Sequence, residues 1–276
     1  MTTTARAARA VAAAVLVART HGVVSDDPTV LADGANVVVH LRPAPLVVKV
    51  AATTHLVREP ADWLQRELAV AAHLASAGIA VVAPSDLVPQ RVHSRGAEVM
   101  TFWQHLPHDP AAQIAPAQLG DLLRHLHEAT RSYPAVLPRL ATPFEDISRF
   151  LDRADPATTA GMRRAFEQVL PRLPDDAPEQ ALHGDPHPGN LLKAAGGWTW
   201  ADLEDACAGP VAWDLACVAT STRVDCHAAL RAYGPVPDLE PWIELRRLHA
   251  AVWTCLYAER LPHHRAPAEA LLASWS

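Results

Sequence analysis

The pattern of apolar residues changes once along this chain, near residue 104, and that change limits the folds open to it. Upstream the pattern is short and extended. Ala35 to Leu41 and Leu46 to Ala51 read as two strands of a hairpin joined by Arg42-Pro43-Ala44-Pro45, with Asp33-Gly34 turning the chain in. A further strand is expected near Ile79 to Val82 and another over Glu98 to Trp103, and Leu106 to Pro110 then reads as a linker. Downstream the spacing becomes helical, with Leu119, Leu122, Leu123 and Leu126 on one face, then Pro143 to Ala154, Thr158 to Leu170, and a long helix over Leu239 to Arg260. The prediction is an α+β chain of two lobes, a small β-rich lobe over residues 1–103 and a larger helical one over residues 104–276.

Composition narrows the function classes. Thirty acidic side chains against 24 basic ones give a net charge of -6, which disfavours a nucleic-acid binder because such proteins need a basic face. Half the residues are apolar, enough for a sizeable core and against disorder. The longest apolar run, Ala10 to Ala18, is nine residues, whereas a membrane-spanning helix needs roughly 20. Arg6 and Arg9 precede that run as they would in a secretory signal, but Arg19 ends it with no Ala-x-Ala site following, and an N-terminal helix is expected instead. Cys207, Cys217, Cys226 and Cys255 form no CxxC pair, which points to a reducing cytoplasm.

Positive charge is written almost entirely as arginine, and the only lysines are Lys49 and Lys193. Lys193 follows an apolar pair near Gly196-Gly197 and reads as a solvated residue, whereas Lys49 sits in mid-strand and needs a partner. The helix that Pro60 opens and Gly78 closes supplies one. At about 100° per residue its apolar stripe runs through Trp63, Leu64, Val70, Ala71 and Leu74, and Glu67 falls inside it. A carboxylate on a core face requires a cation, and Lys49 is the lysine near enough in sequence.

The segment His183-Gly184-Asp185-Pro186-His187-Pro188-Gly189-Asn190 cannot be regular helix, because two prolines and two glycines interrupt it. A loop that presents an aspartate and, five residues on, an asparagine offers a base for a hydroxyl proton and an oxygen ligand for Mg²⁺. Trp198 to Ala201 then reads as a short strand ending at Asp202, a carboxylate placed for a second metal contact. Gly209-Pro210 starts a helix whose apolar stripe of Val211, Leu215 and Val218 also contains Asp214, a second acid needing buried partners. His183 and His187 are four apart, but the prolines deny them the helix that a metal pair at that spacing uses. The tryptophans, Trp103 among them, read as core or hinge rather than a cation cage.

Taken together, HGDPHPGN followed by DLEDACAGPVAWDLA resembles the aminoglycoside phosphotransferase-like kinases, relatives of choline kinase and distant cousins of protein kinases, over about Val30 to Tyr257. The resemblance implies a bilobal protein kinase-like fold with an antiparallel sheet in the first lobe. It implies transfer of the γ-phosphate of ATP to a small-molecule hydroxyl with Mg²⁺, GTP remaining open, and no nucleic-acid or membrane partner. Lys49 would hold the α- and β-phosphates and pair with Glu67, Asp185 would orient or deprotonate the acceptor, and Asn190 and Asp202 would hold Mg²⁺. His183 and Asp214 would brace the loop. The turn covering the nucleotide would lie at Ala32 to Asn36, with Gly34 and Asn36 as its contacts, although no GxGxxG is present. Glu204 and Asp205 are either solvated or edge the acceptor site. An aminoglycoside-like acceptor is favoured and would need acids such as Asp205, Glu145, Asp146 or Glu259 around it; choline, a sugar, a macrolide or an amino alcohol stay open, as does a nucleotide-binding pseudokinase.

Overall fold

The structure, a computed structural model, describes residues 5–53, 56, 58–140, 142–236 and 238–275. In chain order its helices are α1 (Ala5–Thr20), α2 (Pro60–Ser76), α3 (Pro116–Thr130), α4 (Thr142–Arg153), α5 (Pro156–Val169), α6 (Val211–Ala219), α7 (Cys226–Tyr233), α8 (Glu240–Arg260) and α9 (Arg265–Ser274). The strands of the first half are β1 (Asp27–Asp33), β2 (Asn36–Arg42), β3 (Leu46–Ala51), β4 (His93–Arg95), β5 (Glu98–Gln104) and β6 (His108–Asp109). The later ones are β7 (Gln180–Leu182), β8 (Leu191–Ala194), β9 (Gly197–Trp200) and β10 (Cys207–Gly209). The architecture is mixed α+β, with the antiparallel sheet in the first half and helices dominating the second, as expected. Two compact units are present, one of Met1–Pro110 with Leu192–Glu204 and one of Ala111–Leu191 with Asp205–Ser276.

The first unit is built on an antiparallel sheet of order β1-β2-β3-β5-β4. The expected hairpin is its centre, with Val38 opposite Lys49 and Lys49 in turn opposite Thr101. Val37, Val39, Leu41, Leu46, Val48 and Val50 are wholly buried on one face, as strict alternation requires. Each such side chain contributes about 1.5–3 kcal/mol on burial. Helix α1 covers that face with the stripe Ala7, Ala10, Ala14 and Val17, at i, i+3, i+7 and i+10. Small residues let a helix approach a sheet of valines closely, which explains an alanine-rich run that is not itself strongly apolar. Arg6, at the start of α1, pairs with Asp33 and donates to Thr53 Oγ1 at 2.9 Å, tying the helix to the turn after β1.

Four local readings are corrected. Strand β1 was not anticipated, because Pro28 lies in it and a bulge between Val30 and Ala32 breaks its alternation. No strand forms at Ile79 to Val82; instead Val81 makes a single parallel bridge to Trp200, with Val82 N–H donating to Trp200 O at 2.8 Å. The linker carries β6, which pairs with β8 through His108–Ala194 and Asp109–Lys193. Lys193 is half-buried rather than fully solvated, its ammonium 5.6 Å from the centre of the Trp198 ring.

The second unit is helical. Helices α3 and α7 pack together, and α8 gathers α4, α5, α6 and α9 around it. Trp242, Leu245, Leu248, Val252 and Leu256 of α8 are buried as the sequence pattern requires. Among the described residues no helix is long and apolar enough to cross a membrane.

Candidate active site

The first unit collects charge around Lys49. Its ammonium donates to Glu67 Oε1 and Oε2 at 2.9 and 3.0 Å, lies 2.9 Å from Glu204 Oε2, and also hydrogen-bonds Asp202. Lys49, Glu67 and Glu204 are buried. Burial opposes the charge on Lys49, but Asp202, Glu204 and Glu67 more than reverse this and hold it well above its usual range. Burial lifts Glu67 to about 8, with Asp202 and Glu204 adding to the rise against the attraction of Lys49. One ammonium meets three carboxyl groups, so even with Glu67 neutral the cluster keeps one negative charge in excess. That excess, on oxygen donors, is what a divalent cation such as Mg²⁺ would neutralise.

Asp202 reaches the cluster through its backbone. It follows β9 in a left-handed conformation, φ 63°, which aspartate tolerates better than most residues. Such outliers cost about 1–3 kcal/mol and gather at functional sites. Glu204, expected in solvent or at an acceptor edge, is instead buried here and accepts from Asn36 Nδ2 at 2.8 Å. Asn36 therefore begins β2 with its side chain committed to Glu204. Gly34 occupies the turn before it, its N–H donating to Asn36 O at 3.0 Å while its own carbonyl accepts from Thr53 Oγ1 at 3.1 Å.

In the second unit the loop at residues 183–190 links β7 to β8 through a 3-10 turn over Pro188–Asn190. Asp214, fully buried on α6, accepts from His183 N–H through Oδ2 and from Gly184 N–H through Oδ1, each at 2.9 Å, and His127 Nε2 lies 3.0 Å from Oδ2. Trp213 Nε1 donates to Gly184 O at 2.7 Å. Gly184 has φ 91°, and a Cβ there would fall 2.0 Å from Asp205 O, so only glycine fits. Within the loop, Asp185 N–H donates to His183 Nδ1 at 3.4 Å and Asn190 Nδ2 donates to Asp185 O at 2.9 Å. The Asn190 amide nitrogen is thereby used inside the loop, and its oxygen is the atom suited to a cation.

Arg246 on α8 donates from Nη2 to Asp185 Oδ1 at 2.6 Å, a contact the sequence reading did not anticipate. Burial would push Asp185 up, but Arg246, then His187, His183 and His249, more than offset this and hold its carboxyl below the usual range. Burial likewise opposes the charge on Arg246, and its neighbours Cys217, Asp185, Asp205 and Asp214 raise it. Three of the four acids considered for a cationic acceptor are engaged in pairs of their own. Asp146 is buried against His249 Nε2 at 2.9 Å, Glu145 pairs with Arg149, and Glu259 pairs with Arg153.

A family profile described as the phosphotransferase enzyme family matches residues 27–245. Among solved structures, the amicoumacin kinase hAmiN, in complex with AMP-PNP, Ca²⁺ and Ami, has a TM-score of 0.67 at 15% identity and covers 90% of this chain and 87% of its own. Choline kinase LicA from Streptococcus pneumoniae has 0.66 at 16%, covering 95% of this chain and 99% of its own. Spectinomycin phosphotransferase, in complex with ADP and spectinomycin, has 0.64 at 14%, covering 95% and 94%. At these identities the likeness is one of fold. No curated protein sequence gives a significant match.

Proposed function

The chain belongs to the phosphotransferase enzyme family and is a small-molecule kinase, and from that premise we propose that it transfers the γ-phosphoryl group of ATP, with Mg²⁺, to a hydroxyl of a small molecule. The observation that carries this reading is the cluster of Glu67, Asp202 and Glu204 on Lys49, a lysine held by acids with negative charge to spare. Lys49 holds the α- and β-phosphates, and Glu67 keeps its ammonium aimed. Asp202 and Asn190 are the residues for the metal, with Glu204 behind Asp202; bound Mg²⁺ supplies charge neutralisation at the phosphate oxygens. The turn containing Gly34 and Asn36 covers the nucleotide. Asp185 orients the acceptor hydroxyl and takes its proton, and no side-chain nucleophile is needed because transfer depends on positioning and charge neutralisation.

A carboxylate held low by Arg246 is a weak base, which suits a transition state in which the acceptor proton leaves late. Arg246→Gln removes the largest influence opposing burial, so the Asp185 pKa rises. Because Asp185 must be ionised to work, activity in this variant is lost at higher pH than in the parent as pH falls. The measurement is the acidic limb of the pH–kcat profile, and an unmoved limb would remove Asp185 from the proton transfer.

The reading itself is tested by ADP release with Mg-ATP and with Mg-GTP across aminoglycosides, macrolides, choline, sugars, amino alcohols and hydroxy acids, with Asp185→Ala as the blank. A single strong acceptor supports it. Binding of Mg-ATP with no acceptor raising ADP release above the blank would favour a nucleotide-binding pseudokinase.

A further inference from the structure

A cavity of about 630 Å³ opens in the second unit, framed by α6, the segment after it, α8 and α9. Its size lies within the range typical of small-ligand sites, about 300–1,000 Å³. It adjoins the candidate catalytic loop, since His187 and Arg246 both line it and both meet Asp185, at 3.6 and 2.6 Å.

The charge of this cavity runs against that of the chain. In a protein of net charge -6, three guanidinium groups line it; that of Arg246 is paired with Asp185, those of Arg223 and Arg247 are the charge left to the cavity, and no carboxylate lines it among the described residues. Five other arginines of the unit are answered by acids, Arg124 by Asp121, Arg139 by Glu179, Arg149 by Glu145, Arg153 by Glu259 and Arg172 by Glu244, while Arg131 and Arg163 donate to Gln180 Oε1 and to Leu151 O. Arg223 and Arg247 have no ion-pair partner among the described residues. Arg223 also lies against the loop itself, for a Cβ on Gly189 would fall 2.7 Å from its Nη1. The glycine thus admits a guanidinium to the loop that carries Asp185. Thr220, Ser221 and Thr254 add hydroxyls to the lining.

Planar guanidinium groups recognise carboxylates and phosphates through paired hydrogen bonds, whereas an ammonium group placed among them meets like charge. We infer that the acceptor is an anionic hydroxyl compound, one that bears a carboxylate or a phosphate held by Arg223 and Arg247 while its hydroxyl faces Asp185. This rests on the kinase reading above and names the substrate class of the same site.

The test titrates the full chain, saturated with Mg-AMP-PNP, with four hexoses alike in size and unlike in charge: glucose 6-phosphate, glucuronate, glucose and glucosamine. Either or both anions should bind at least about tenfold more tightly than glucose, the usual worth of one charge-assisted contact, and glucosamine should bind most weakly. The stronger of the two anions distinguishes a phosphate site from a carboxylate site. Arg223→Gln and Arg247→Gln should each reduce anion affinity by about tenfold. Preferred binding of glucosamine, no binding of either anion, or anion binding unmoved by both substitutions would overturn the inference. ADP release with Mg-ATP is read in parallel. Anion binding without ADP release from any acceptor would sink the kinase reading and leave the basic site, whereas ADP release driven by glucosamine and not by the anions would keep the kinase and sink the basic site.

Discussion

Asp185→Ala should lower turnover by about 10² to 10⁴, the usual worth of a positioned base, while Mg-ATP affinity changes little. The separation follows from where the residues sit. Asp185 is in the second unit, on a loop fixed by Asp214 and Trp213, whereas the lysine assigned to the phosphates is in the first, among its own acids. The alanine also strips Arg246 of its ionic partner, and Arg246 keeps only 14% of its side chain exposed, so some loss of stability accompanies the loss of rate. Asp185→Asn separates the two effects. It preserves the shape and can still accept from Arg246, but it cannot take a proton, so it should fold nearly as well as the parent and remain almost as slow as the alanine variant. Steady-state kinetics with nucleotide titration decide the matter, and a full-speed asparagine variant would remove the base assignment.

What the sequence made legible was local or periodic. Lys49 and Glu67 are only 18 residues apart, and helix phase alone put the acid on a core face, so their ion pair could be anticipated. The 183–190 loop was legible because its prolines and glycines exclude helix, and its internal hydrogen bond from Asn190 to Asp185 spans five residues. Contacts between distant segments were not legible. Asn36 meets Glu204 across 168 residues and Arg246 meets Asp185 across 61, and no spacing rule reaches so far. Yet Arg246 did leave a trace. It stands four residues after the buried Trp242 and three before the buried His249, a charge on the border of an apolar stripe. The reasoning that selected Glu67 on α2, applied to α8, selects Arg246; it was obscured because arginine is abundant in this chain and lysine is rare. Strand β1 was hidden for another reason, since its bulge shifts the register that alternation is read from.

Lys49→Ala should be the most damaging single change in the first unit, and its damage should depend on pH. The substitution leaves Glu67, Asp202 and Glu204 facing one another with no cation, two of them at 8% side-chain exposure or less. Breaking a buried ionic cluster from one side costs about 3–5 kcal/mol. Burial already pushes Glu67 up to about 8, above its ordinary 4.5, so in the fold its neutral form is favoured. A folded pKa raised in this way gives stability that is complete below the unfolded value and lost as pH rises through the folded one. Without the ammonium, which draws Glu67 down, the folded pKa climbs further and the loss deepens. The difference in Tm between parent and variant should therefore be small near pH 5 and widest above pH 8, and Mg²⁺ should narrow it if Asp202 and its neighbours hold the metal. Catalysis should suffer too, with kcat/KM for ATP falling by about 10² to 10³, the scale of losing one preorganised electrostatic contact to the transferring group. A Tm difference independent of pH would contradict the shared-charge account of the cluster. An unchanged KM for ATP with only the acceptor KM altered would move Lys49 out of the nucleotide site.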